Sequence, residues 1–204
     1  MKELLLESKG IRTDQYFIPP FELREGELVV INLHGGPHYY EFKRILIDIL
    51  IGKTKTENVK IKRPLLYDNY YKESKFRRIF FPTTVEAYLE KNANLESEFI
   101  QKIYSFPWVN KKTKFKEFYW GYQKVVFLCS TLSKTKDIVF DLAGQHPESA
   151  KISYEIVKDM VRNGGSAILI DSESEFKEEC DEFITLEWLV PYEEVYKKLK
   201  FEYL

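Results

Sequence analysis

The sequence predicts an α/β fold: a mainly parallel sheet covered by helices, with an antiparallel β portion near the N-terminus and a small helical subdomain spanning about 83–116. Three observations point to it. Short β-branched and apolar runs, at Leu28–Leu33, Lys136–Asp141 and Ala167–Ile170, have the pattern of strands buried on both faces. Stretches with apolar residues at helical spacing separate them. Glycine, proline and capping residues mark the joints.

Leu4–Glu7 reads as the first strand, and the Gly26-Glu27 turn leads into the second, Leu28–Leu33. That strand ends at His34-Gly35-Gly36-Pro37, a strong loop signal. From Tyr39 to Gly52, Tyr40, Ile45, Ile49 and Leu50 recur at helical spacing, and Gly52 sits where a C-terminal cap belongs. Val59–Ile61 and Leu65–Tyr67 read as edge strands. Thr83-Thr84-Val85-Glu86 opens a helix through Leu89 with a cap and a capping-box acid, and Leu95–Tyr104 is a second helix. A lysine-rich loop follows Pro107, then a helix over Tyr122–Leu132 and the acid-ending strand Lys136–Asp141. His146-Pro147-Glu148-Ser149 starts a helix that runs through Arg162 and ends at Asn163-Gly164-Gly165. Ala167–Ile170 is a strand, Glu173–Cys180 a helix and Phe183–Glu187 the last strand. No repeat or low-complexity linker interrupts them, so the whole of 1–204 reads as one domain.

Composition narrows the function classes. Thirty-one Lys and Arg nearly cancel 32 Asp and Glu, so no global attraction to nucleic acid or anionic lipid is indicated. Glu7 interrupts the N-terminal leucines too soon for a signal peptide, and Ile45–Ile51 is far short of the roughly 20 residues of a membrane span. A soluble, cytoplasmic protein is expected. The two cysteines, Cys129 and Cys180, have neither metal-type spacing nor a disulfide framework.

Four constellations could carry chemistry. The strand running into His34-Gly35-Gly36 is similar to an oxyanion-hole loop of the α/β-hydrolase fold, but no Gly-x-Ser-x-Gly nucleophile turn exists, and His146 precedes Ser166. His34 and His38 are four apart, with Glu41 nearby. Pro37 and the two glycines forbid a helix there, and histidines in such a loop are expected to face solvent rather than hold a metal. Lysines interleaved with Phe115, Phe118, Tyr119 and Trp120 over Lys111–Lys124 could hold single-stranded nucleic acid, or form a docking face or a plain amphipathic helix. Finally, a strand, a glycine loop and a helix, followed about a hundred residues later by the strand ending at Asp141, is the layout that holds nucleotide phosphate and magnesium.

The whole run from Leu4 to Leu186 resembles the ATP-binding cassette (ABC) ATPase domain of transporters, a P-loop NTPase-like fold. Phe21–Glu27 and the strand after it resemble the approach to the phosphate loop. Thr84-Val85-Glu86-Ala87-Tyr88-Leu89 resembles the phrase that opens the family's helical region. Phe118–Val126 falls where the signature and its helix belong, and Asp137–Asp141 resembles the magnesium-binding strand. Pro147-Glu148-Ser149, Gly164–Ile170 and Glu178–Leu186 follow in the family's order.

The departures are as telling. In place of Gly-x-x-x-x-Gly-Lys-Ser/Thr stands Leu33-His-Gly-Gly-Pro-His-Tyr-Tyr40, so the lysine position falls on Tyr39 and the magnesium-binding hydroxyl on Tyr40. Pro37 removes one backbone N–H from the anion cradle. Leu142 stands for the glutamate that polarises water, Asp171 for the switch histidine, and Trp120 and Tyr122 flank the one retained signature glycine, Gly121. The glutamine after the early strands is replaced around Asp68–Asn69.

The resemblance therefore implies a cassette without catalytic residues, a pseudo-ATPase with no resident metal or cofactor and at most weak binding of ATP with magnesium. The vestigial nucleotide site would comprise Gly35, Gly36, His38, Tyr39, Tyr40 and Asp141, and an interface would comprise Trp120, Gly121 and Tyr122. The expected partner is a second copy or another cassette-like subunit, with a membrane permease at the inner face of a membrane as the wider setting. Two rivals stand beside this reading. One is a nucleotide site of unorthodox build, with Asp141 on a metal and His34 or His38 replacing the lysine. The other is nucleic-acid binding by 111–124, which is not the first expectation.

Overall fold

The computed structural model describes residues 2–68, 71 and 73–196. At its centre lies a five-stranded parallel sheet of order β10-β5-β9-β8-β7. Its strands are β5 (Leu28–Asn32), β7 (Leu66–Tyr67), β8 (Asp137–Asp141), β9 (Ser166–Asp171) and β10 (Glu182–Thr185). Alternation along the strands divides the core. Leu28 and Val30 of β5, Ile138 and Phe140 of β8, and Ala167 and Leu169 of β9 point to one face. Val29, Ile31, Val139, Ile168 and Ile170 point to the other. Period-two side chains buried on both faces are what a helix-covered parallel sheet requires.

One face carries α5 (Trp120–Leu132) and α6 (Pro147–Arg162), with α3 (Val85–Asn92) and α4 (Glu98–Ser105) packed against α5. Thr84 caps α3 by accepting from Ala87 N, and Ser97 caps α4 by accepting from Phe99 N. The other face carries α1 (Tyr39–Leu50) and an antiparallel sheet of order β4-β1-β6, built from β1 (Leu4–Ser8), β4 (Phe21–Arg24) and β6 (Val59–Ile61). A third sheet joins β2 (Ile11–Arg12) and β3 (Tyr16–Ile18) to β11 (Glu187–Trp188), so the end of the described chain pairs beside its beginning. The expected α/β architecture and antiparallel portion are both present.

Three local differences have physical causes. Glu173–Cys180 is not a helix; only a 3₁₀ turn, Lys177–Glu179, forms there. Glu175, Glu178 and Glu179 would stand at like-charged helical spacing, and the segment is instead anchored by Phe176 stacked on Tyr154, rings 3.9 Å apart. β11 lengthens what reads in the sequence as a single last strand by turning it into the third sheet. A short helix, α2 (Lys75–Phe80), lies in a stretch where no element was expected, capped by Ser74 and with no buried residue.

Candidate functional site

The carboxyl ends of parallel strands are where an α/β sheet offers space for a ligand. Here that edge holds Asn32, Asp141 and Asp171, with the His34–Pro37 loop above β5. His34 adopts a left-handed φ of 58°, held by its N–H donating to Asn32 Oδ1 at 2.7 Å and by its ring 3.1 Å from Leu186 O.

The loop folds inward instead of cradling an anion. His38 is fully buried, its Nε2 2.9 Å from Leu33 O. A carbonyl only accepts, so Nε2 carries the hydrogen, and Nδ1 has no hydrogen-bond partner among the described residues. Burial pushes the imidazole pKa down despite that hydrogen bond, so the ring is neutral. Trp188 lies edge-on at 4.8 Å, Tyr192 at 5.6 Å and Phe42 tilted at 5.1 Å, an aromatic cage closed by the last described residues. Gly36 has φ 141°, and a Cβ there would meet the Tyr192 hydroxyl at 2.5 Å. The solvent-facing histidines expected of this loop are thus corrected for His38. Pro37 turns the chain so that the His38 ring enters the core beneath the loop, where its one buried hydrogen bond is satisfied.

Tyr39 opens α1 with its ring buried and its hydroxyl donating to Ile170 O at 3.1 Å, whereas Tyr40 is 65% exposed. One helical turn beyond Tyr39, on the same side of α1, stands Lys43. Its ammonium is 3.1 Å from Asp141 Oδ1 and lies over the rings of Tyr39 and Tyr40 at 5.4 and 5.3 Å.

Asp141, at the end of β8, has no exposed side-chain surface. Lys124 of α5 reaches it from the other face of the sheet, with Nζ 2.9 Å from Oδ1, and also donates to the Asp141 and Ala143 carbonyls at 2.8 and 3.3 Å. Tyr67 donates to Oδ2 at 2.6 Å, and Ala143 N–H to Oδ1 at 2.9 Å. Burial alone would raise the carboxyl pKa, but Lys124, Lys43 and Tyr67 outweigh it and hold Asp141 ionised, well below the usual range. Asp68, also buried, goes the other way. Desolvation and the neighbouring Asp141 push it well up against the pull of both lysines, favouring its neutral form, and its Oδ1 has no partner among the described residues. Asn69 lies outside the described residues.

At the N-terminal end of α5 a cleft of about 350 Å³ opens between α5 and α6, lined by Tyr119, Gly121, Tyr122, His146, Glu148 and Ser149. A Cβ on Gly121 would overlap the Ser149 hydroxyl and come within 2.8 Å of its Cβ, so the helices can approach this closely only through a glycine. Tyr122 is stacked on Trp108, rings 4.4 Å apart, while Tyr119 and Trp120 stand exposed at the rim.

No family model matches the chain, and no curated protein sequence matches it. Solved structures do. An ATP-binding subunit of an ABC transporter superposes with a TM-score of 0.62 at 14% identity, over 96% of this chain and 99% of that one. A nucleotide-free ATP-binding cassette from an ABC transporter gives 0.61 at 15%, over 92% and 90%. cbiO1 from Clostridium perfringens, part of the ABC transporter complex cbiONQ, gives 0.61 at 14%, over 93% and 88%. The chain has the fold of an ATP-binding cassette.

Gly35, Gly36, His38, Tyr39, Tyr40 and Asp141 fall at the β5 and β8 ends of one sheet, and Trp120, Gly121 and Tyr122 form the first turn of α5. Sequence reasoning missed the two lysines that fill the centre. Lys43 follows Tyr39 by four residues, and Lys124 lies inside the apolar run of α5, where a solvated lysine has no place. Of the basic-aromatic stretch, Lys124 is buried on Asp141, Phe115 is 3% exposed in an aromatic stack with Phe127 and Tyr88, and Lys111 is ion-paired with Glu86 at 3.1 Å. Lys112, Lys116, Tyr119 and Trp120 of the same stretch are exposed. No set of three or more His, Cys, Asp or Glu is placed to hold a metal among the described residues, and none of their helices is long and apolar enough to cross a membrane.

The residues do not fit a magnesium nucleotide. Asp141 Oδ1 already meets two ammonium groups and a backbone N–H, and Oδ2 a phenol. Tyr39 is hydrogen-bonded into the sheet, and the loop above it is packed on its own histidine.

Proposed function

We propose that this chain is a non-catalytic cassette. It acts as a subunit or regulator in an ABC-like assembly through protein contacts, with weak or no ATP binding. One observation carries the reading: Lys43 and Lys124 converge on the carboxylate that in a working cassette holds magnesium. Two fixed ammonium groups supply the positive charge a metal would bring, and they supply it without a ligand. Phosphoryl transfer depends on positioning and charge stabilisation. Leu142 in place of the glutamate and Tyr39 in place of the lysine leave little of either.

The contacts would be made through the α5–α6 cleft. Exposed Tyr119 and Trp120 on its rim belong to the residue types that dominate binding hot spots. Cassettes pair head to tail across phosphate loop and signature, and exposed Tyr40 presents another aromatic in the first turn of α1. A second copy or another cassette-like subunit is the partner in this reading, with a membrane permease completing the assembly.

Calorimetric titration of the purified chain with ATP plus magnesium, and with ADP, tests the first half. No heat up to millimolar nucleotide is expected, and saturable binding in the micromolar range overturns it. Light scattering of the chain alone and a pull-down of endogenous subunits test the second half. A monomer that recovers no cassette or permease defeats the assembly role.

A further inference from the structure

Residues 74–81, Ser-Lys-Phe-Arg-Arg-Ile-Phe-Phe, are all exposed. Phe76, Ile79, Phe80 and Phe81 are between 62% and 69% accessible, more than any other large apolar side chain described except Tyr119 and comparable with Tyr40. On α2, Phe76, Ile79 and Phe80 stand at i, i+3 and i+4 and so share one face, and the Phe76 ring lies 4.9 Å from Phe80 and 6.4 Å from Phe81. Lys75, Arg77 and Arg78 occupy the flanks and back of the same turn and a half, and the segment contains no acid.

The base of this segment is fixed even though none of its helical residues is buried. Glu73 accepts from Thr83 N–H at 2.6 Å, Tyr71 and Thr83 share a hydroxyl hydrogen bond at 2.8 Å, and Ser74 caps the helix. Tyr71 in turn packs on Tyr88 and Phe115 of the core. A clamped base presenting an uncovered apolar face is a surface that something else covers.

We propose that α2 and Phe81 form a membrane-surface contact that docks on anionic lipid. Charge decides the occupant. An apolar face whose own helix carries only cations, Lys75, Arg77 and Arg78, matches a bilayer boundary, where aromatic and aliphatic side chains enter the acyl region while lysine and arginine stay with anionic headgroups. A protein groove would have to supply acids on every side of the apolar anchors. The inference is independent of nucleotide binding and of the cleft beside α5, and it concerns a contact made by the chain itself rather than through a permease.

The test is co-sedimentation of the full chain with vesicles of phosphatidylcholine alone and of phosphatidylcholine mixed with phosphatidylglycerol. Binding to the mixed vesicles is expected to exceed binding to the neutral ones by at least about tenfold and to fall with salt. R77E/R78E is expected to abolish the preference, and F80S/F81S to weaken binding to both vesicle types. None of the four side chains is buried, so circular dichroism and melting temperature should stay as in the parent. Equal binding to neutral and anionic vesicles, or loss of neither in the variants, overturns the proposal. So does concentration-dependent self-association abolished by F80S/F81S without vesicle binding, which would assign the face to a second copy.

Discussion

Two regions a single helical turn apart on α5 have been left in opposite conditions. At Lys124 the helix meets the strand-end centre, where every polar group of Asp141 is engaged by the protein's own side chains and backbone. At Gly121 the same helix borders an open cleft, edged by exposed aromatics and kept narrow by a glycine. The first region has turned inward and stores its charges in the core; the second keeps an outward surface. Buried charges have to be neutralised internally, since an unpaired buried carboxylate is costly. An open surface has no such need.

The comparison breaks most sharply at Lys124. Lys124→Met leaves Asp141 with one cation fewer and two backbone carbonyls without their donor. We expect a loss of about 3–5 kcal/mol in urea denaturation. Lys43→Met should cost less, because Lys43 lies at the rim of the centre. Asp141→Asn placed with Lys124→Met should recover part of the loss in a double-mutant cycle. A change within about 1 kcal/mol for Lys124→Met would mean the centre is not internally closed.

Gly121→Ala probes the other region. The added methyl must part α5 from α6, at a cost of about 1–3 kcal/mol. Ser149→Gly in the same chain should restore most of the stability, since it removes both atoms that the methyl meets. Melting temperatures of the single and double variants decide this.

Asp171, at the neighbouring strand end, gives a pH signature of opposite sign to that of Asp141. Burial, with Glu173 and Glu175 nearby, pushes its pKa up to about 6 against the hydrogen bonds it accepts from backbone N–H groups. The unfolded value is near 4. Between the two the folded state binds more protons, so this residue's contribution declines as pH rises from about 4 through about 6. Asp171→Asn should therefore stabilise the chain at neutral pH by up to about 2 kcal/mol and flatten that part of the stability profile. No difference in slope between parent and variant would place Asp171 in water.

The smallest expected effect is the contrast between adjacent tyrosines. Tyr39→Phe loses the hydrogen bond to Ile170 and should cost about 1 kcal/mol. Tyr40→Ala should stay within about 0.5 kcal/mol and instead weaken any self-association measured by light scattering.

The parallel sheet was legible in sequence because its strands are short apolar runs punctuated by Gly26, Gly35, Gly36 and Gly165. The cassette order was legible because turn and cap residues carry it. The third sheet was not, since β2, β3 and β11 are two or three residues long and owe their pairing to distant chain. α2 was missed because it is only six residues long, too short for the apolar spacing of Phe76, Ile79 and Phe80 to stand out as a period. The closed centre was missed for another reason. Lys124 reads as part of the basic-aromatic stretch and Lys43 falls in no motif, and nothing local says that a carboxylate lies beneath both. A tyrosine at position 39 is a one-residue observation, whereas the convergence of Lys43 and Lys124 on Asp141 from two helices on opposite faces of the sheet is visible only in three dimensions.

β5 has one further consequence, for how the chain is made. Its partners in the sheet are β9, beginning at Ser166, and β10, beginning at Glu182, so nothing that emerges from the ribosome before them can cover its edges. At ordinary synthesis rates Leu28–Ile31 would wait roughly seven to twenty-seven seconds for a neighbour. During that interval the nascent chain carries a fully apolar, unpaired strand, a segment suited to holding by a chaperone. Truncations that end before Ser166 should accordingly aggregate or stay chaperone-bound, whatever the later fate of the finished protein.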